Sequence, residues 1–306
     1  MLKEIVRTKL TLEMIENRIQ SIPAFPTVVC ELMELAHDAD GFFEKMGNLA
    51  EKSPLLASRI LSFANSAASA PSSPIINIHD ALIRLGIFKT LSMITMASVS
   101  RNLPLSKPQY RAIWSHSIET AYLSRHIAEN LPDFHVDKGL VYLCGLLHDL
   151  GRFVFLQISS KIIDVIEALG WDTYHQLSDI EYKLFGFTHV ETGTLAAKKW
   201  QLPETISQVI QHHHQFDLWQ KEEGTLEFRQ RLTIVQFADS ICTLIQRNPE
   251  WRDWSDSILK ERIIKDCIHK NWPTIDFNVD QLISNLPDLI AECNEVSKEM
   301  GVELGD

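Results

Sequence analysis

The chain has 306 residues, of which 45% are hydrophobic and 23% are charged, and its formal net charge is -11. This length and balance are typical of a globular protein and argue against a disordered or membrane-embedded chain. The negative charge provides no basic surface for phosphate backbones, so nucleic acid is not an expected partner.

Helical periodicity dominates the chain, and no segment shows sustained two-residue alternation, so we predict an all-α fold. The first residues carry charges at short intervals, which is typical of an amphipathic helix and not of a signal peptide. The next helices are predicted, between breaks at proline and glycine, over 27–37, 42–51, 54–66 and 79–98.

A proline-containing break at residues 102–110 precedes a long run of helical segments from Arg111 to Arg247. After Pro249 two further helices are predicted, near 255–270 and 279–299. The predicted organisation is therefore an N-terminal helical lobe, a second helical lobe that carries the candidate site, and a helical C-terminal extension, over residues 1–105, 106–249 and 250–306.

The most apolar stretch, residues 139–158, has the length of a membrane span but carries His148, Asp149 and Arg152 near its middle. A bilayer strongly opposes such groups, so we predict a buried central helix and no membrane partner. The five cysteines are scattered and form no CxxC pair. This indicates a reducing compartment, the cytoplasm, and argues against a thiolate zinc site.

The adjacent His148 and Asp149 are candidate metal ligands, because burying both groups without partners costs several kcal/mol. Neutral imidazole and carboxylate both bind divalent ions, and the sequence does not distinguish Fe, Mn, Zn, Ni or Mg. The alternative is that Asp149 pairs with Arg152 three residues later while His148 bonds a carbonyl.

Two further candidates lie on other predicted helices, as a metal site built by several helices requires. Asp239 falls inside the apolar arc of its helix, where a carboxylate needs a cation. A salt bridge to a buried Arg or Lys remains the alternative for Asp239. His116 lies on a helix that precedes the central one and could reach the same point.

A second group of histidines follows along the chain. His189 opens a helix, where Thr188 and Glu191 have the spacing of a capping box. His213 continues an apolar stripe of the helix that Pro203 begins, and His212 sits beside it. We expect His213 to face inward and His214 to face outward. A solvated surface cluster is the alternative for the three adjacent histidines; it is favoured for His214 and rejected for His213.

The order of His116, His148, Asp149 and Asp239 resembles the HD superfamily of metal-dependent phosphohydrolases. Within it, residues 22 to 213 resemble the HDOD family of bacterial signalling domains. The motifs that carry this likeness are IPAFPTVVCELMEL, ANS (64–66), DALIRLG (80–86), WSHS (114–117), GLLHDLGR (145–152), FGFTHVETG (185–193) and W-x-LPE before the three histidines. The family implies a two-lobed helical architecture with an HD-type bundle.

The resemblance implies a regulatory protein of bacterial signal transduction, with a metal-occupied HD site and a signalling protein or small nucleotide-like ligand as partner. The alternative is a metal-dependent phosphohydrolase or phosphodiesterase acting on a nucleotide or other phosphate ester, in which Asp149 and Arg152 are catalytic. A scaffold that keeps these residues as remnants is a third possibility. His189 and the His212–His213 pair resemble the residues that bind a second metal ion in the HD-GYP branch of cyclic-dinucleotide phosphodiesterases, so the resemblance implies these three histidines as further metal ligands. The GYP signature is absent after the three histidines, and Arg152 stands where the HD-GYP branch has a lysine, which argues against degradation of a cyclic dinucleotide.

Overall fold

The computed structural model describes residues 10–21, 39–52, 54–65, 74–99, 108–171 and 174–299. All regular structure in these ranges is helical and no strand occurs in them, which confirms the predicted all-α fold. The first part of the chain forms α1 (Leu12–Ser21), α2 (Ala39–Lys52), α3 (Pro54–Ala64) and α4 (Ile78–Val99).

The rest of the described chain forms a second set of helices. They are α5 (Pro108–Glu129), α6 (Lys138–Leu147), α7 (Leu150–Ile158), α8 (Ser160–Leu169), α9 (Tyr174–Phe185), α10 (His189–Lys199), α11 (Glu204–His212), α12 (Leu218–Lys221), α13 (Leu226–Arg247), α14 (Asp256–Arg262) and α15 (Val279–Glu299). A 3-10 helix (Pro249–Asp253) precedes α14, and a π-helical turn (Ile263–Cys267) follows it.

The helices predicted before the break correspond to α2, α3 and α4, with ends that differ by a few residues. The helix predicted over 27–37 lies outside the described residues, and so does most of the break at 102–110. The division into three parts at residues 105 and 249 therefore stays a prediction.

Two motifs of the N-terminal part have local structural roles. Asn65 brackets the backbone of Ile75, because its side chain accepts a hydrogen bond from the Ile75 amide and donates one to the Ile75 carbonyl. Helix α4 bends at Gly86, whose φ of 74° is accessible to glycine without steric cost. These contacts explain the asparagine of ANS and the glycine that ends DALIRLG.

Helix α5 lies at the centre of the second set, where it packs against α6, α13 and α15. Every residue from Ile113 to Ser124 is buried. On the other side, α7 packs against α10, and α10 packs against α11. Six helices, α5, α6, α7, α10, α11 and α13, therefore converge on one buried region.

Residues 138–158 are apolar and long enough to cross a membrane, but 89% of this segment's most apolar window is buried inside the protein. It is the core of a globular unit, as predicted. The expectation of one continuous helix is wrong, however, because α6 ends at Leu147 and α7 begins at Leu150. Between them Asp149 leaves the helical conformation, with φ -93° and ψ 23°.

A close helix contact accompanies this interruption. Gly151, in the first turn of α7, lies against the first turn of α10, and a Cβ at this position would lie 1.8 Å from the carbonyl oxygen of His189. Gly193 faces it from α10, with its own Cβ position 3.0 Å from the Gly151 amide nitrogen. The absence of side chains at Gly151 and Gly193 thus lets α7 and α10 approach each other closely, next to Asp149 and His189.

Candidate metal centre

A first group of possible metal ligands comes from three helices: His116 of α5, His148 at the end of α6, and Asp239 of α13. All three are buried, and their ligand atoms lie within 4.8 Å of one another. Nε2 of His116 lies 3.0 Å and Nε2 of His148 lies 3.7 Å from Oδ1 of Asp239. Two imidazoles and a carboxylate around one point suit a divalent transition-metal ion.

A second group comprises His189, His213 and His214, again with ligand atoms within 4.8 Å of one another. His189 opens α10, whose predicted capping box between Thr188 and Glu191 is confirmed. His213 caps the end of α11. The Nε2 atoms of His189 and His213 are 3.3 Å apart, and the ring of His214 lies 4.2 Å from that of His213.

Asp149 lies between the two groups and faces each with a different oxygen. Its Oδ2 is 3.9 Å from Nε2 of His116 and 3.8 Å from Nε2 of His148. Its Oδ1 is 3.5 Å from Nε2 of His189 and 3.6 Å from Nε2 of His213. A carboxylate so placed has the position of a ligand shared by two metal ions.

Three of the histidines are held through their other ring nitrogen. Nδ1 of His148 lies 2.7 Å from the carbonyl oxygen of Gly145, and Nδ1 of His213 lies 2.8 Å from that of Ile210. Nδ1 of His189 lies 2.7 Å from Oε2 of the fully buried Glu181. These oxygens accept, so each Nδ1 donates and Nε2 is the nitrogen directed at the centre.

The chemistry of the first group fits a cation. Nε2 of His148 is buried and makes no hydrogen bond. Burial opposes a charged imidazole, yet Asp149 and Asp239 outweigh it and raise the pKa of His148 to about 9. Burial also opposes ionisation of Asp239, but His148 and His116 hold its pKa below the usual range. A proton on His148 offsets these carboxylates, and a divalent ion would do so while giving Nε2 a partner.

In the second group burial opposes a charged His189, but Glu181 and Asp149 outweigh it and raise the pKa of His189. At His213 and His214 burial is not outweighed by carboxylates. Burial lowers the pKa of His213 below the ordinary imidazole value and lowers that of His214 further. Neutral imidazole is the form that binds metal. At neutral pH these two histidines therefore need no deprotonation before they can act as ligands.

Arg152 pairs with Asp149, as one of the alternatives from sequence expected: its Nη1 lies 3.2 Å from Oδ2 of Asp149. Its Nη2 lies 3.3 Å from Oε1 of Glu167 on α8. The Arg152–Asp149 ion pair is present together with both histidine groups, so pairing with Arg152 does not take Asp149 away from the histidines. Arg152 and His116 also line a pocket of about 560 Å³ that opens beside the first group.

The structure brings together six of the seven residues that the sequence suggested as metal ligands: His116, His148, Asp149, His189, His213 and Asp239. His212 lies apart, with Nδ1 2.8 Å from Oε1 of Gln215 and its ring against Phe228. His214, expected to face outward, belongs to the second group instead. Because α11 ends at His212, the chain turns there and His214 replaces it on the inner side.

Sequence reasoning missed Glu181, which orients His189. Besides accepting from the imidazole, Oε2 of Glu181 accepts from the backbone amide of His189 at 2.9 Å. A signal for it was present, since Glu181 lies on the apolar stripe of α9 between Leu177 and Phe185, at intervals of four residues. A carboxylate in that position needs a buried partner.

Two curated proteins are similar in sequence to this chain. A curated, uncharacterized protein of Treponema pallidum (strain Nichols) is 23% identical over 248 residues, which cover 80% of this chain and 47% of that protein. A ribonuclease Y of Mycoplasma genitalium is 30% identical over 102 residues, or 33% of this chain and 15% of the relative. The chain thus spans about half or less of the length of these relatives.

Solved structures share the fold at low identity. An HDOD domain protein of Geobacter sulfurreducens has a TM-score of 0.62 at 22% identity, with 94% of this chain and 99% of that chain covered. A Shewanella amazonensis protein, provisionally described as a phosphohydrolase, has a TM-score of 0.58 at 18% identity, with 95% and 98% covered. A Marinobacter aquaeolei protein, provisionally described as a signal transduction protein, has a TM-score of 0.68 at 17% identity, with 98% and 64% covered.

The HDOD domain model matches residues 22–216, which is more than half of the chain. The match includes His116, His148, Asp149, His189 and His213, whereas Asp239 follows it on α13. The all-helical fold agrees with the solved HDOD protein of Geobacter sulfurreducens. This chain belongs to the HDOD domain family.

Proposed function

We propose that the HD site of this chain binds two divalent metal ions, and that the chain is a metal-dependent phosphohydrolase that acts in bacterial signal transduction. The observation that carries the proposal is the position of Asp149, whose two oxygens face separate groups of buried histidines. The role implies a cytoplasmic protein, with a signalling protein or a small nucleotide-like ligand as partner.

The first ion would be held by His116, His148 and Asp239, the second by His189, His213 and His214, with Asp149 shared. Bound divalent ions would stabilise negative charge on the phosphoryl oxygens of an ester. The nature of the metal, among Fe, Mn, Zn, Ni and Mg, follows supply as well as ligand type.

The chain's own residues would orient the substrate beside these ions. The pocket begins at His116, so an ester in it lies next to the first group. Arg152 is placed to donate hydrogen bonds to a phosphate there, because its side chain is 13% exposed and borders the same pocket. Asp149 would hold this arginine in position through Nη1.

The descriptions of the Shewanella and Marinobacter proteins, a phosphohydrolase and a signal transduction protein, agree with the two halves of this proposal. At 18% and 17% identity their likeness to this chain is one of fold. The site residues of this chain therefore carry the argument.

The first experiment is a measurement of metal content on untagged protein purified without chelator, for wild type and Asp149→Ala. We expect near-stoichiometric metal in the wild type and its loss in the variant, followed by metal-dependent turnover in a screen of phosphate esters and nucleotides. A protein that holds no metal as purified, and gains none on reconstitution, would contradict the proposal.

A second candidate is a metal-loaded regulatory module that turns nothing over. The ion pairs of Arg152 favour this candidate. Arg152 pairs with Asp149 through Nη1 and with Glu167 through Nη2, so its guanidinium group already has carboxylate partners before any ligand binds. This candidate predicts bound metal without hydrolysis of any ester in the screen, whichever ion is loaded. Hydrolysis that Asp149→Ala abolishes would exclude it.

A further inference from the structure

The pocket beside the first histidine group contains a second arginine, Arg247, near the end of α13. Its Nη2 lies 3.9 Å from Oε2 of Glu167, whose other oxygen lies 3.3 Å from Arg152. Two guanidinium groups thus share the two oxygens of one carboxylate. Residue 247 lies beyond residues 22–216, so this half of the pocket is built by a segment outside the HDOD match.

Arg247 is held firmly in this position. Its guanidinium carbon lies 3.6 Å from the centre of the Trp171 ring, and its Nη1 donates to the Trp171 carbonyl oxygen. An arginine stacked on an aromatic ring and bonded to backbone loses little further freedom when it binds an anion. The Trp171 side is therefore a preformed wall of the pocket.

Glu167 satisfies these two arginines incompletely. Distances of 3.3 and 3.9 Å are longer than the 2.7–2.9 Å typical of charge-assisted hydrogen bonds. The Glu167 side chain is also 47% exposed, so water competes for it. An anion with several oxygens could approach both guanidinium groups more closely than this carboxylate does.

The remaining walls accommodate an organic group. Ile113 of α5 and Ile163 of α8 provide apolar surface, and Gln246 projects from α13 with its amide fixed by Glu119 at 2.6 Å. A volume of about 560 Å³ lies within the range of pockets for small organic ligands and exceeds the need of an inorganic anion.

We propose that Arg152 and Arg247 form an anion site for a phosphoryl group of an organic phosphate, and that the Glu167 carboxylate occupies this site until the ligand displaces it. Arg247 is then a specificity-determining residue. That this anion site binds the substrate rests on the proposed phosphohydrolase function.

The test is isothermal titration of the full-length chain with inorganic phosphate, both as purified and after chelation. The variants are Glu167→Gln, which removes the competing charge but keeps the shape, and Arg247→Ala. The matched control is Arg262→Ala, because Arg262 also stacks on a tryptophan, Trp254, and pairs with an acidic residue but lies outside the pocket. Thermal unfolding checks the fold of each variant, and Arg247→Lys replaces Arg247→Ala if the latter is unstable.

We expect Glu167→Gln to bind phosphate about tenfold more tightly and Arg247→Ala about tenfold more weakly, a factor that corresponds to one charge-assisted hydrogen bond. Arg262→Ala should match the wild type. Equal affinity in all four proteins, or no binding by wild type and Glu167→Gln, would overturn the inference. Because the chelated chain is included, this result is independent of metal content, on which the proposed function depends.

Discussion

The carboxylate of Glu181 lies 2.7 Å from Nδ1 of His189 and 2.9 Å from its backbone nitrogen, with no exposed surface on the glutamate. One oxygen of this buried residue therefore determines both the position of the first residue of α10 and the orientation of its imidazole. Partners of this kind raise the basicity of a ligand and fix its tautomer.

We predict that Glu181→Gln lowers metal affinity at the second group by about 10- to 100-fold, the usual effect of removing such a partner. Competition with a chromophoric chelator measures it. Asp179→Asn is the control, because Asp179 lies on the same helix but is 72% exposed. Unchanged affinity in Glu181→Gln would show that Glu181 does not act through His189.

A pH prediction concerns Cys144 of α6, which is fully buried. Burial raises the pKa of its thiol to about 12, and only the thiolate reacts with alkylating reagents. Below that pKa the thiol stays protonated, so raising the pH from about 7 to about 9 should not label Cys144 in the folded chain, while a free thiol of ordinary pKa gains reactivity over that range.

Peptide mapping after iodoacetamide treatment measures this labelling. The same reaction in denaturant is the control, since an unfolded chain exposes Cys144 and restores an ordinary thiol pKa. Labelling of Cys144 in the folded protein that rises with pH like the denatured control would show that the α6 face is open to solvent.

Much of this architecture could be predicted from sequence because burial imposes a period on the residues. The apolar arc of α13 includes Asp239, and the apolar stripe of α11 leads to His213, so the residue types of a metal site were recognisable on separate helices. Periodicity also supports the helix positions, which the structure confirms for α2 to α4 and for the all-α fold.

The remaining features depend on contacts that a local pattern does not contain. The apolar run of residues 139–158 has no proline to indicate its interruption at Asp149, and this interruption lies beside the close approach of Gly151 to His189, far along the chain. The exchange of His212 for His214 depends on where α11 ends. Glu181 was identifiable as a buried acid, but its partner was not.

The contact between α7 and α10 gives a stability prediction. Gly151→Ala should lower the free energy of unfolding by at least about 3 kcal/mol, the upper end of the usual cost of overpacking, because the added methyl group meets backbone atoms of His189 that cannot rotate away. Urea denaturation at equilibrium measures the change.

Gly47→Ala is the matched control for Gly151→Ala. Gly47 lies within α2, and a Cβ there meets no atom within 4 Å. Alanine is preferred over glycine inside helices by about 1 kcal/mol, so this variant should be as stable as the wild type or more so. A Gly151→Ala protein as stable as Gly47→Ala would disprove the close approach of α7 and α10.

The position of Asp149 between the two groups makes the number of bound ions a direct test of the shared carboxylate. Asp149→Asn should reduce metal content from about two ions per chain to less than one, since each group loses an oxygen ligand. Asp239→Asn should remove only the ion of the first group, because Asp239 does not take part in the second. Elemental analysis of protein reconstituted with a single metal gives both numbers.

Asp256→Asn is the control, since Asp256 is exposed in the first turn of α14 and belongs to neither group. Far-UV circular dichroism establishes that each variant is folded before metal is counted. If Asp149→Asn and Asp239→Asn lost the same single ion, Asp149 would be a ligand of the first group alone. The second group of histidines would then bind its ion without a carboxylate, or bind none.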